Sequence, residues 1–232
     1  MKLLLFDIDG TLLSTDGAAR RAFHRTMLEV YGTAGPIDAH DFAGKTDPQI
    51  ARELLRLAEM EDGEIDRGLP RLWQGYAAAL EAELNDDGHT TVVMPGVVAL
   101  LDALEAEPEA ALSGLLTGNI EPGARLKLRS AGLDGRFAFG AYGSDNEVRN
   151  CLPEVALRRA LEHSGRGFDA AAAVVIGDTP ADVACARAAG MRAAGVATGP
   201  YTAERLLEAG ADVAWTSMAD TEAVIDWLMR GG

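Results

Sequence analysis

Three stretches of this 232-residue chain place short polar residues directly after an apolar run. Asp7-Ile8-Asp9-Gly10-Thr11 follows Leu3–Phe6, Thr117-Gly118-Asn119 follows Leu112–Leu116, and Gly177-Asp178-Thr179-Pro180-Ala181-Asp182 follows Ala173–Ile176. Asp7, Asp9 and Asp178 are too many like charges to gather without a cation. Hard oxygen ligands of this kind, with room left for water, suit Mg²⁺. A carboxylate held on a cation is also a nucleophile towards phosphorus. Thr117 and Asn119 add neutral donors for phosphate oxygens, helped by backbone N–H groups at the next helix N-terminus. Each stretch alone has a plainer explanation: Asp9-Gly10 as a turn, Thr117-Gly118-Asn119 as a strand end, Asp182 as a first-turn helix acid. An EF-hand loop counted from Asp7 fails, since position six would be Leu12 and position twelve Ala18.

The elements that must bring these residues together are legible in the pattern. Continuous apolar runs ending in a polar residue suit strands buried on both faces of a parallel sheet. Weaker runs of the same kind are Phe137–Tyr142, Met191–Ala197 and Ala211–Trp215. Helical patterns lie between them at Val97–Glu107, Glu121–Ala131, Glu154–His163, Ala181–Ala189 and Thr221–Met229, several opened by proline, and Gly132 and Gly190 are placed to close two of them. This alternation implies an α/β fold, a doubly wound parallel sheet with right-handed crossovers. Ligands bind such sheets outside the carboxyl ends of the strands, where all three stretches fall. Residues 15–90 break the alternation and read as helices only, Gly17–Tyr31, Pro48–Met60 and Ile65–Asn85, an insertion after the first strand.

Composition narrows the function classes. Hydrophobic residues make up 48% and charged residues 25%, ordinary for a globular chain with a sizeable core. Lys and Arg number 21 against 36 Asp and Glu, a net charge of −15, which argues against nucleic acid or an anionic membrane as partner. Cys151 and Cys185 form no CxxC pair or disulfide framework, and no targeting segment or membrane span is visible, so a reducing, cytoplasmic setting is expected. Oligomeric state is not legible.

Asp7-x-Asp9-Gly10-Thr11, Thr117-Gly118-Asn119 and Gly177-Asp178-Thr179-x-x-Asp182 resemble motifs one, two and four of the haloacid dehalogenase superfamily, and the resemblance covers nearly the whole chain. The branch most similar is that of the phosphoglycolate-phosphatase-like enzymes. The resemblance implies a Rossmann-like core of residues 1–14 and 91–232 with an inserted helical cap over 15–90. It also implies Mg²⁺-dependent hydrolysis of a small phosphate monoester, a phosphorylated metabolite, through an aspartyl-phosphate. Asp7 would be nucleophile and metal ligand. Asp9 would be general acid/base and would give its backbone carbonyl to the metal. Thr117, Gly118 and Asn119 would hold the phosphoryl group and substrate, Asp178 would coordinate the metal, and Asp182 would support the metal site.

Motif three departs from the family pattern. Its expected Lys is missing from Asn146–Pro153, where Arg149 is the cation in register, with Lys127 and Arg125 next to be considered. Lys45, in Gly44-Lys45-Thr46-Asp47, is either a reader of the leaving group or a solvated loop lysine. Asp9 argues against a dehalogenase, which lacks that second aspartate. A sugar phosphomutase using the same aspartate pair is the alternative, as is an idle binding or scaffold protein, which would have no need of mutually repelling carboxylates. His24, His40, His89 and His163 form no metal-spaced cluster. Trp73 and Tyr76, three apart on one helix, read as cap packing.

Overall fold

The computed structural model describes residues 1–230. The chain begins with strand β1 (Lys2–Phe6) and a two-residue strand β2 (Leu13–Ser14), followed by helices α1 (Ala18–Tyr31), α2 (Asp47–Leu57) and α3 (Asp62–Leu84), then a second short strand β3 (Val92–Val93). Alternation follows: α4 (Val97–Ala106), β4 (Ala111–Thr117), α5 (Glu121–Ser130), β5 (Gly140–Tyr142), α6 (Leu152–Ser164), β6 (Ala173–Gly177), α7 (Pro180–Ala188), β7 (Arg192–Val196), α8 (Ala203–Glu208), β8 (Val213–Trp215) and α9 (Thr221–Met229). Six strands form one sheet in the order β5-β4-β1-β6-β7-β8, and every pairing in it is parallel.

β1 shows why its sequence is apolar throughout. Leu4 and Phe6 join one core, with Val97, Leu100, Leu101 and Leu104 of α4 and Val224 and Leu228 of α9. Leu3 and Leu5 join the other, with Leu152, Ala156 and Ala160 of α6 and Val183 and Ala186 of α7. The period of two in a strand sends alternate residues to opposite faces, and helices cover both. The chain passes from β1 to β4 and β5 on one side, then to β6, β7 and β8 on the other. The crevice therefore opens beside β1, where the winding direction reverses.

The helices between β2 and β3 have a core of their own, with Phe23 and Met27 of α1, Ile50, Leu54 and Leu55 of α2, and Leu72, Tyr76 and Leu80 of α3 fully or almost fully buried. Phe23 meets Tyr76 edge-on, ring centroids 5.4 Å apart, a favoured aromatic arrangement. β2 and β3 pair antiparallel, Leu13 opposite Val93, so the chain leaves the sheet and returns to it along one short ribbon. That ribbon is not expected from the sequence, because two residues carry no periodicity. Helix α8 is likewise unexpected, and α3 begins at Asp62, earlier than Ile65, so that Gly63 lies inside its first turn. Gly132 and Gly190 do close α5 and α7, at φ 69° each. No helix among the described residues is long and apolar enough to cross a membrane.

Candidate active site

Asp7, Asp178 and Asp182 bring one carboxylate oxygen each within 4.8 Å of one another at the carboxyl edge of the sheet. Asp7 directly follows β1, and Asp178 directly follows β6, the neighbour of β1 in the sheet. Asp178 accepts a hydrogen bond from Thr11 Oγ1 at 3.1 Å. Its carboxylate lies in a glycine cradle: a Cβ on Gly10 would fall 2.3 Å from Asp178 Oδ2, and one on Gly199 would fall 1.7 Å from it. Burial, then the nearby Asp182 and Asp7, push Asp178 up to about 8. Burial likewise pushes Asp7 up to about 6, against the opposing pull of Arg149. Carboxylates clustered and buried in this way would be relieved by a cation, and oxygen-only donors suit Mg²⁺ among the common cations. Asp182 is the least free of the three. Its Oδ2 accepts from Thr179 N at 3.0 Å and Thr179 Oγ1 at 2.7 Å in a capping box at the start of α7, and its Oδ1 accepts from Arg149. The open donors are those of Asp7 and Asp178.

Arg149 sits in a single 3₁₀ turn, residues 149–151, just before α6, and is 6% exposed. Its Nη2 lies 3.3 Å from Asp7 Oδ2 and also contacts Asp182, while its Nε is buried without an acceptor among the described residues. The guanidinium thus holds two acids through one nitrogen.

Asp9 points the other way. Lys127 of α5 donates to both of its oxygens, at 2.8 and 2.7 Å, and to Asn119 Oδ1 at 2.6 Å. Asn119 Nδ2 in turn donates to Asp9 Oδ2 and to Thr117 Oγ1, each at 2.8 Å. The Lys127 side chain is 4% exposed and that of Asp9 46%, so a buried ammonium fixes a carboxylate that still opens to the cavity. From the sequence Lys127 is only a second choice for the motif-three cation, on a last-turn position common to surface cations, and the structure sets it on Asp9 instead. Its one distinguishing sign is helical register: it shares the buried face with Ala124 and Leu128. Asp47 is a second unexpected participant. Half-buried in the first turn of α2, it accepts the Ile120 N–H at 2.8 Å, and desolvation pushes it up to about 6 while Lys127 pulls the other way.

The loop before α2 rests on the sheet edge. Asp47 N donates to Gly118 O at 2.8 Å, and Thr46 Oγ1 donates to Glu147 O at 2.7 Å. Gly118 is required by this approach, because a Cβ there would lie 2.1 Å from Lys45 O. Between the three helices and the sheet remains a cavity of about 410 Å³. Asp7, Asp9, Asp178, Thr117, Asn119 and Arg149 line its floor, and Phe23, Phe42, Ile50 and Tyr76 line the opposite wall. Lys45 and Arg20 also reach it. Lys45 Nζ is 2.6 Å from Glu53 and 3.3 Å from His40 Nε2, so it is paired, on a side chain that stays partly exposed. His24 is exposed on α1, and His163 stacks on Phe139. Cys185 is buried and its thiol is pushed up to about 12 by burial, which leaves it unreactive.

Residues 4–196 match the model of the haloacid dehalogenase-like hydrolase family. The chain belongs to that family. It is 30% identical to a phosphoglycolate phosphatase of Rhodospirillum rubrum, over 98% of this chain and 90% of that protein. It is 26% identical to a phosphoglycolate phosphatase of Synechococcus elongatus, over 99% of this chain and the whole of that protein. Among solved structures, a hydrolase from Pseudomonas syringae superposes with a TM-score of 0.71 at 21% identity, covering 98% of this chain and 99% of that one. CbbY from Rhodobacter sphaeroides, solved with xylulose-(1,5)bisphosphate, gives 0.71 at 20% identity, over 95% and 96%. At such identities these two structures establish the shared fold, a parallel sheet flanked by helices. The protein is thus an enzyme of the haloacid dehalogenase-like hydrolases.

Proposed function

We propose that the protein is a Mg²⁺-dependent phosphatase that hydrolyses small phosphate monoesters through a phosphoryl group carried on Asp7, with residues 15–90 acting as a helical cap over a core of residues 1–14 and 91–232. The observation that carries this reading is the division of labour between two aspartates two residues apart. Asp7 is buried against Arg149, whereas Asp9 is turned away, held by Lys127 and Asn119 and open to the cavity.

Asp7 supplies the oxygen that attacks phosphorus as the bond to the leaving oxygen breaks. Asp9 protonates that oxygen, then takes a proton from the water that attacks the phosphoryl group and regenerates Asp7. Arg149, whose Nη2 already lies beside Asp7, stabilises charge on the phosphoryl oxygens. Thr117, Gly118 and Asn119 frame the same group, and Asp182 fixes Arg149 from behind. Asp7 and Asp178, with the Asp9 backbone carbonyl, would hold Mg²⁺, which supplies the positive charge that lets an anionic ester enter this acidic floor. The cap helices exclude water during the reaction.

The relatives' names put 2-phosphoglycolate first among the substrates to try. Phosphate release from a panel of monoesters, with Mg²⁺ and with excess chelator, tests the proposal. Release that needs Mg²⁺ and disappears in Asp7→Asn is expected. Full activity in chelator, or an active and folded Asp7→Asn, would overturn it. Isomerised sugar phosphate in place of free phosphate would instead indicate a mutase.

A further inference from the structure

Four cations line the cavity: Arg20, Lys45, Lys127 and Arg149. Three are matched to acids. Arg149 lies against Asp7 and Asp182, Lys127 against Asp9, and Lys45 against Glu53. Arg20, on α1 in the cap, is different. Among the described residues no carboxylate lies within ion-pair distance of it. Its Nη2 donates to the backbone carbonyls of Ile37 and His40, and its guanidinium carbon lies 4.4 Å from the centre of the Phe42 ring. Those contacts hold the group in place without neutralising it, and leave Nε and Nη1 without a protein acceptor.

We infer that Arg20 is the cap residue that selects the leaving group, and that the enzyme favours phosphate monoesters whose leaving group carries a second anion, a carboxylate or a further phosphate. This deepens the phosphatase reading and rests on it. A half-buried guanidinium loses much of its hydration and, without a counter-charge, favours an anion that reaches it. It sits on the cap and not on the acidic floor, so it does not duplicate Arg149. Phe42 presents the opposite face of the same arrangement: the stacked ring blocks one side of the guanidinium and restricts its orientation. Lys45 is the other cavity-lining cation from residues 15–90, but Glu53 already answers its charge. Asp47, the acid on this wall, is committed to the Ile120 N–H and faces Lys127.

The test separates binding of the second anion from turnover. Alkylphosphonates of two, three and four carbons are titrated into the Mg²⁺-loaded protein by calorimetry. Each is compared with its twin ending in a carboxylate and its twin ending in a second phosphonate. An anionic twin of matching length should bind at least roughly 10-fold more tightly than the plain alkylphosphonate, the scale of one charge-assisted hydrogen bond. The length and headgroup that gain most distinguish carboxylate from phosphate. Arg20→Gln should reduce that ratio at least roughly 10-fold, and Arg20→Lys should keep part of it, as a charge without the fork. If no anionic twin exceeds its alkyl partner by more than about twofold in the unaltered protein, the inference fails whether or not any variant folds. It also fails if a folded Arg20→Gln keeps the full ratio. The panel of monoesters, assayed in parallel with Mg²⁺ and with chelator, isolates the underlying reading: no Mg²⁺-dependent release from any ester would sink the phosphatase assignment, whereas release with no anion preference would sink only the role of Arg20.

Discussion

At the scale of single residues, the site turns on how two like groups are kept in different states. Asp7 is buried and faces a guanidinium; Asp9 is half exposed and gripped by an ammonium and an amide. Asp9→Asn keeps the size of the side chain and removes the proposed proton shuttle, so turnover of alkyl phosphates should fall by about 10²–10⁴. An aryl phosphate, whose leaving oxygen needs no proton, should still give a burst of about one equivalent of phenolate per chain, with the phosphoryl group on the Asp7 peptide by mass spectrometry. Lys127→Met should reproduce a weaker form of this defect, roughly 10–100-fold in kcat for alkyl phosphates, because Asp9 loses its anchor and not its carboxyl group. Equal losses on alkyl and aryl esters would show that Lys127 only supports the fold. For Arg149→Ala, loss of a preorganised charged donor is expected to lower kcat by about 10²–10³. Asp145 and Glu147 are poor controls for it, since they pair with Arg159 and Arg52. Val148, 58% exposed, is the silent neighbour, and Val148→Ala should behave as wild type. Near-normal kinetics in Arg149→Ala would remove it from the phosphoryl site.

At the scale of elements, the decisive contact is between the loop before α2 and the loop after β4. Two hydrogen bonds join Asp47 to Gly118 and Ile120, and the Arg52 guanidinium reaches Glu147 at 2.9 and 3.0 Å. The two parts of this contact should differ sharply in weight. Gly118→Ala places a methyl 2.1 Å from Lys45 O and 3.0 Å from Arg149 Nη1, so either the loop before α2 or the arginine must move. Displacement of about 1 Å near reacting groups costs on the order of 10²-fold, and a loss of that size in kcat/KM is expected. Glu147→Gln weakens one partly exposed ion pair, worth at most about 1 kcal/mol, and kcat/KM should change less than about fivefold. Steady-state kinetics on both variants decide the matter, and the reverse ranking would show that the ion pair, not the backbone contact, seats the helices of residues 15–90 on the sheet edge.

At the scale of the whole molecule, the acidic floor couples stability to pH and, on the proposed reading, to Mg²⁺. Asp178 is raised from 3.8 to about 8 and Asp7 from 3.8 to about 6. A raised folded-state value for an acid means stability that is complete below pH 3.8 and is lost as pH rises towards the folded value. The metal-free protein should therefore melt at a lower temperature at pH 8 than at pH 5. Asp178→Asn should remove most of this slope, gaining at least about 1 kcal/mol at pH 8, or about 2–4 °C for a chain of this size. Mg²⁺ should raise the melting temperature of the unaltered protein at pH 8 by mass action and leave Asp178→Asn nearly unchanged. Scanning calorimetry at the two pH values, with Mg²⁺ or chelator, gives all four numbers. A melting temperature indifferent to Mg²⁺ would contradict a cation at this floor.

The sequence by itself determined the sheet and its edge. Leu3–Phe6 and Ala173–Ile176 are apolar without interruption because both faces of their strands are covered, and a polar residue can follow only where the strand leaves the core. Asp7, Thr117 and Asp178 are therefore readable as neighbours from local pattern and the winding rule alone. The three helices of 15–90 are equally legible, since each buries one stripe. What the tertiary structure alone decided is which charges meet. Lys127 and Asp9 are 118 positions apart, Arg149 and Asp182 are 33 apart, and the two-residue ribbon of β2 and β3 leaves no period to detect. A charged side chain carries no sign of its partner in its own sequence neighbourhood, because pairing depends on the direction and reach of two side chains on different elements. That is also why Lys45 and Arg20 look alike in the sequence, one finding Glu53 in the folded chain and the other facing a cavity.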